Sequence, residues 1–125
     1  MNRIAENMTA MVVDDEKDIC YFLSSYLKKN KLNCLSAMSI TEATELLDHH
    51  NPDILFIDNH LPDGYGVDMV AHIRKNHPGT VIVMISAYDS AEDKRNAFDH
   101  GVDHFLSKPF SLDEVSALLK DILGN

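Results

Sequence analysis

The sequence predicts an α/β protein: a single doubly wound sheet of five parallel strands, with five helices covering both faces. Three observations lead to it. Continuously apolar runs alternate five times with amphipathic segments along the 125 residues. Strands apolar on both faces belong to parallel sheets, whose crossovers lay helices on each side. All four prolines and all five glycines fall at or outside the segment boundaries, so nothing interrupts the rhythm. Right-handed crossovers then wind the sheet in both directions.

Residues 1–9 are expected as a loosely held leader and residues 10–125 as the folded domain. Met11–Val12–Val13 is the first strand and ends abruptly in Asp14–Asp15. Ile19, Phe22, Leu23, Tyr26 and Leu27 recur at helical spacing. Leu32 to Ala37 is a weaker second strand. Ser39 and Glu42 form a capping box that opens a helix ending near His50. Pro52 breaks that helix, and Ile54–Leu55–Phe56–Ile57 is an apolar strand ending at Asp58. The loop that follows holds Pro62, Gly64 and Gly66, and the two glycines are expected to keep it flexible. Met69, Val70 and Ile73 mark a third helix, stopped by Pro78–Gly79. Val81 to Ile85 is the most apolar strand and ends at Ser86. The fourth helix spans Ser90 to Asp99, with Gly101 as its C-terminal stop. Asp103 to Leu106 is the fifth strand, followed by Ser107–Lys108–Pro109. In the last helix Ser111 and Glu114 make a second capping box, and Phe110 and Val115 can staple across it. Leu112, Val115, Leu118, Leu119 and Ile122 are placed on its apolar face.

The composition narrows the function. Twenty acidic against eleven basic residues give a net charge of −9. So acidic a surface repels phosphate backbones and anionic bilayers, which argues against direct nucleic-acid or membrane binding. No apolar run reaches the roughly 18 residues of a membrane span. The start, Met1 to Ala10, carries Arg3 and Glu6 and has no apolar core, so it does not read as a secretion signal. Cys20 and Cys34 are not in a CxxC arrangement and read as buried, reduced thiols, which fits the cytoplasm. The phosphate loop GxxxxGK[ST], a GxGxxG after the first strand and HExxH are all absent from the sequence. Of the seven histidines, His100 and His104 are four apart but span a helix end, so Zn²⁺ is not expected.

A parallel sheet brings the C-terminal ends of its strands to one edge, where open α/β sheets bind ligands. The residues there are Asp14 and Asp15, Asp58, Ser86 and Lys108. Singly each has an ordinary reading: a helix cap, a turn residue, a strand end, a solvated lysine. Together they make a chemical set. Crowded carboxylates repel one another, and a hard divalent cation relieves them; a partly open, oxygen-only site suits Mg²⁺. With an ammonium and a hydroxyl beside it, such a site can hold a phosphoryl group, and a carboxylate can accept one as an acyl phosphate.

Over roughly Met11 to Leu123, the pieces V-V-D-D-E, F-I-D-N-H-L-P-D-G-Y-G, V-M-I-S-A and H-F-L-S-K-P-F resemble the receiver family of two-component response regulators, in its chemotaxis-regulator-like form. The resemblance implies a flavodoxin-like strand order, 2-1-3-4-5. It implies Asp58 as the phosphoacceptor. It implies Mg²⁺, with Mn²⁺ as a substitute, held by Asp15, by Asp14 directly or through water, by Asp58 and by the backbone carbonyl of His60. Lys108 would contact the phosphoryl group, and the Lys108–Pro109 bond would be cis. Ser86 would be the switch hydroxyl and Phe105 the switch aromatic that moves inward, while Ala87 leaves room for the phosphoryl group. His60 and Tyr88 would tune how fast water reaches the aspartyl phosphate, in either direction. Two departures stand out: His60 replaces the commoner methionine, asparagine or arginine, and Phe105 lacks a tyrosine hydroxyl.

The implied function is a cytoplasmic signalling switch that catalyses only its own phosphotransfer and dephosphorylation, not an enzyme with a separate substrate. A histidine kinase or phosphotransfer protein would donate. A partner or attached effector domain would read the surface of the fourth helix, fifth strand and fifth helix, and that surface is compatible with a homodimer formed on phosphorylation. Two alternatives stay open. A degenerate receiver would act as a phosphorylation-independent scaffold, against which Asp58, Asp15 and Lys108 all stand intact. An aspartyl-phosphate hydrolase would need a second aspartate two residues after the first, where His60 stands.

Overall fold

The computed structural model describes residues 7–124. Among them, five strands form one sheet: β1 (Thr9–Val13), β2 (Asn33–Ala37), β3 (Ile54–Asp58), β4 (Val81–Ser86) and β5 (His104–Ser107). Every pairing is parallel and the order is β2-β1-β3-β4-β5, the 2-1-3-4-5 arrangement expected. The helices are α1 (Lys17–Lys29), α2 (Ile40–His49), α3 (Val70–Asn76), α4 (Ala91–His100) and α5 (Leu112–Leu123). Between β3 and α3 the chain makes a short antiparallel pair, His60–Leu61 with Gly64–Tyr65, and one 3-10 turn, Gly66–Met69.

The pleat sorts the apolar strands onto two cores, because successive side chains point to opposite faces. Ala10, Val12, Ile54, Phe56, Val83 and Ile85 pack beneath Leu23 and Leu27 of α1 and Val115 and Leu119 of α5. Met11, Val13, Leu55, Ile57, Ile82 and Met84 pack beneath α2, α3 and Ala97 of α4. Ala97 is the one buried residue among the described residues of α4. Ser90 and Asp93 form a full capping box at its start, and Gly101 closes it at φ 111°. No helix among the described residues is long and apolar enough to cross a membrane.

Several expectations need correction. The first strand opens at Thr9, whose N–H donates to Asp53 Oδ2 at 2.9 Å, and Met8 is buried in the core. These two residues belong to the fold and not to the leader; residues 1–6 lie outside the described residues. Leu112 does not join the apolar face of α5: it is 49 % exposed, because the first turn overhangs the core that Val115, Leu119 and Leu123 enter. At α2, Ser39 accepts from the Glu42 N–H as expected, but the Glu42 carboxylate accepts from Met38, not Ser39. Both cysteines are free but only half-buried. Burial still pushes the Cys20 thiol up to about 11, with the Asp14 charge adding to it, and burial raises Cys34 as well.

Candidate functional site

The register brings the polar strand ends level. Val13 pairs with Ile57, Asp58 with Ile85 and Ser86 with Ser107, so Asp14, Asp58, Ser86 and Lys108 emerge along one edge. Asp15, Asp58, His60, Ala87, Tyr88 and Lys108 line a cleft of about 270 Å³ there, with Glu16 at its rim. A roomier hollow of about 480 Å³ flanks β2, lined by Lys28, Leu32, Cys34, Leu35 and His50 among others. It gathers no comparable set of acids and bases, so the smaller cleft is the candidate site.

Lys108 is the hub. Its Nζ lies 2.7 Å from Glu16 Oε2, 2.8 Å from Asp14 Oδ2 and 3.1 Å from Asp58 Oδ2. Burial opposes the lysine's charge and is the largest single influence. The contacts with Asp14, Glu16 and Asp58 together outweigh it and hold the pKa above its ordinary value. Asp14 is wholly buried. Burial raises its pKa above the usual carboxylate value, and the Asp58 charge adds to the rise. Lys108 and the Glu16 N–H, which donates to Asp14 Oδ1 at 2.8 Å, pull the other way.

Carboxylate oxygens of Asp14, Asp15 and Asp58 lie within 4.8 Å of one another. Asp14 Oδ2 faces Lys108 as an ion pair but receives no aligned hydrogen bond among the described residues. A buried, under-coordinated anionic oxygen beside two more carboxylates fits a hard divalent cation, which prefers oxygen donors. Asp58 Oδ1 takes the His60 N–H at 3.2 Å, leaving Oδ2 toward the lysine.

The remaining expected residues fall into two groups. Ser86 is 1 % exposed, and its Oγ accepts the Tyr88 N–H at 3.0 Å. The His60 ring lies 4.2 Å from that of Tyr88, which lines the cleft with it, and 5.4 Å, edge-on, from that of Tyr65. The Lys108–Pro109 bond is cis. Phe105 sits apart from the cleft. It pairs with Met84 in the sheet, half-buried against the core, with Lys94 Nζ 5.8 Å from its ring centroid.

Three residues not singled out in the sequence shape the site and its loop. Glu16 reaches Lys108 across 92 positions; its only signal in the sequence is to be a third acid after Asp14–Asp15. Asp63 ties the loop after Asp58 to α2. Its oxygens accept the Ile40 and Thr41 N–H groups at 2.8 and 2.9 Å and the Thr41 hydroxyl at 2.8 Å. Asn59 folds the loop further, its Oδ1 accepting the Val67 N–H at 2.9 Å. The loop is therefore cross-tied to α2 and to its own start.

The Ile40 and Thr41 N–H groups hold the Asp63 carboxyl below its usual pKa. A depressed folded pKa stabilises above the unfolded value and is lost on acidification through the folded value. Asp63→Ala is therefore expected to lower the denaturation midpoint at pH 7. The gap to wild type should close below pH 3.8, the group's ordinary value, as thermal melts across pH will show.

Fold and site together define a signalling module, an open α/β sheet with an acid–lysine cluster at its switch-point edge. The chain belongs to the response regulator receiver domain family, which it matches over residues 10–120. It is 40% identical over 114 residues to the response regulator protein PilR of Pseudomonas aeruginosa, covering 91% of this chain and 26% of that protein. It is 31% identical over 116 residues to the probable transcriptional regulatory protein TcrX of Mycobacterium tuberculosis, covering 93% and 50%. The chain thus spans half or less of the length of these relatives. Among solved structures, a Clostridium difficile two-component response regulator superposes with a TM-score of 0.89 at 26% identity, covering 94% of this chain and 97% of that one. The receiver domain of Francisella response regulator 1452 gives 0.85 at 30%, covering 94% and 98%. The beryllofluoride-activated NtrC4 receiver domain dimer gives 0.86 at 28%, covering 93% and 96%.

Proposed function

We propose that this receiver accepts a phosphoryl group on Asp58 from the phosphohistidine of a histidine kinase or phosphotransfer protein. The observation that carries this is Lys108 Nζ standing 3.1 Å from Asp58 Oδ2 in a cleft that also holds Asp14 and Asp15. An Asp58 oxygen lone pair forms the new P–O bond while the donor P–N bond breaks, its electron pair leaving with the imidazole. Lys108 neutralises charge on the transferring group, where catalysis is mostly positioning and electrostatics. Mg²⁺, or Mn²⁺ in its place, held by Asp14, Asp15, Asp58 and the His60 carbonyl, would supply further neutralisation of the phosphoryl oxygens.

The switch follows from the new charge. Ser86 exchanges its Tyr88 N–H contact for one to the phosphoryl group, Ala87 leaves the space, and Phe105 moves into the volume vacated. The surface of α4, β5 and α5 then changes toward a partner, an attached effector domain or a second copy. The NtrC4 receiver, active as a dimer with beryllofluoride, supports that last form. His60 and Tyr88 set the lifetime of the acyl phosphate by governing water access. The acidic surface points to protein partners in the cytoplasm, in preference to nucleic acid or membrane.

The test is intact mass after incubation with acetyl phosphate and Mg²⁺, with peptide mapping. One phosphoryl adduct on Asp58, lost when EDTA is present, is expected. A folded chain that binds Mg²⁺ yet never carries an adduct would overturn the proposal in favour of a scaffold.

A further inference from the structure

We infer that Glu16 is a positioning residue for the phosphoryl switch: its carboxylate holds Lys108 in the resting state and is the partner Lys108 surrenders when a phosphoryl group arrives. The inference rests on the reading of Asp58 as acceptor. An ammonium has three N–H donors. Three carboxylates already surround Nζ, with Glu16 nearest at 2.7 Å. Nζ donates to Glu16 Oε2 and Asp58 Oδ2 and faces Asp14 Oδ2 as an ion pair, so a phosphoryl oxygen on Asp58 competes for the ammonium with carboxylates already beside it.

The environments of the three decide which one yields. Asp14 is 0 % exposed, so water cannot take the lysine's place there. Asp58 carries the incoming group and stays beside Nζ. Glu16 is 59 % exposed and, although it occupies the N-cap of α1, its side chain makes no capping hydrogen bond, so Lys108 is the partner that holds it. Its carboxylate alone can turn into solvent and be rehydrated at little cost. Glu16 thus acts as a stand-in anion, occupying the lysine until the phosphoryl group competes for it. It ties the start of α1 to the segment after β5, and that tie breaks on activation.

The experiment titrates the full chain with beryllofluoride and Mg²⁺, a stable phosphoryl mimic, followed by amide and Lys108 side-chain NMR. Wild type is compared with Glu16→Gln, Glu16→Asp and Asp18→Asn. Glu16→Gln is expected to bind about two- to fivefold more tightly, the range of an ion pair with one solvated partner. Glu16→Asp should match it although it keeps the charge, because it is one methylene shorter and is drawn to cap α1. In both, the Lys108 side-chain resonance should shift before any ligand is added. Asp18→Asn removes one charge from the exposed first turn of α1 and should stay near wild type. Glu16→Asp binding like wild type, with Asp18→Asn tightening as much as Glu16→Gln, would overturn the inference in favour of bulk charge. Equal binding by all four proteins would overturn the Glu16 assignment alone. A wild type that fails to bind the mimic would instead overturn the reading of Asp58 beneath it.

Discussion

Lys108→Met should reduce the rate of Asp58 phosphorylation by about 10²- to 10³-fold, the usual loss when one stabilising donor is removed from a transition state. The same change should destabilise the Mg²⁺-free protein by about 3 kcal/mol, because it leaves buried carboxylates without their cation. The structure supplies both halves. Nζ is the cationic centre among Asp14, Glu16 and Asp58, and the lysine side chain is only 12 % exposed. Two signatures separate this from ordinary misfolding. First, Mg²⁺ should raise the melting temperature of the variant more than that of wild type, since the ion replaces part of the missing charge. Saturation at about 100 times Kd adds about 2.7 kcal/mol to any folded state that binds it. Second, acid should narrow the gap. Burial and Asp58 already raise the Asp14 pKa in the native protein. A raised folded pKa stabilises below the unfolded value and is lost as pH climbs through the folded one. Without Lys108 the upward push is less opposed, so the variant gains relative to wild type as pH falls from 7. Melts with and without Mg²⁺ across pH check this; a variant as stable as wild type at pH 7 without Mg²⁺ would refute it.

Gly66→Ala should be as damaging, for a geometric reason. A Cβ on Gly66 would overlap the carbonyl oxygen of Asp58 and lie 3.0 Å from Ile57 Cγ1 and 3.2 Å from the Asp58 carbonyl carbon. The obstacle is backbone at the end of a buried strand, so it cannot swing aside. Overpacking of this kind costs about 1–3 kcal/mol. Relief comes only by moving Asp58 itself, and a misplacement of about 1 Å can cost about 10²-fold in rate. The expected result is a folded protein with a lower melting temperature and phosphorylation by acetyl phosphate slowed about 10²-fold. Unchanged phosphorylation would show that the loop moves instead of the acceptor.

The reason for Gly66 was not legible in the sequence. The glycine was visible and suggested a flexible loop. What it provides is room for a carbonyl eight positions earlier, a fact of packing. Glu16 was hidden likewise, because its partner lies 92 residues away and only the closed sheet joins them. The sheet itself was legible because its strands are short, apolar throughout and end abruptly at polar residues. The register then carried Asp14, Asp58, Ser86 and Lys108 to one edge with no further information needed. Leu112 failed for the opposite reason. Helical periodicity counted it on the apolar stripe, but the stripe begins only where α5 meets the sheet, one turn later.

The attachment of α4 has its own thermodynamic meaning. Ten residues, closed by good caps at both ends, are anchored to the sheet by the methyl group of Ala97. Capping keeps such a segment helical, while so small a buried area leaves it weakly bound to the rest. The free energy needed to detach it is therefore a small fraction of that needed to unfold the sheet, which makes α4 a separate, low-lying unit in the hierarchy of partial openings. The core that Ala97 enters is built mainly from the sheet, α2 and α3, so most of it would persist if α4 opened.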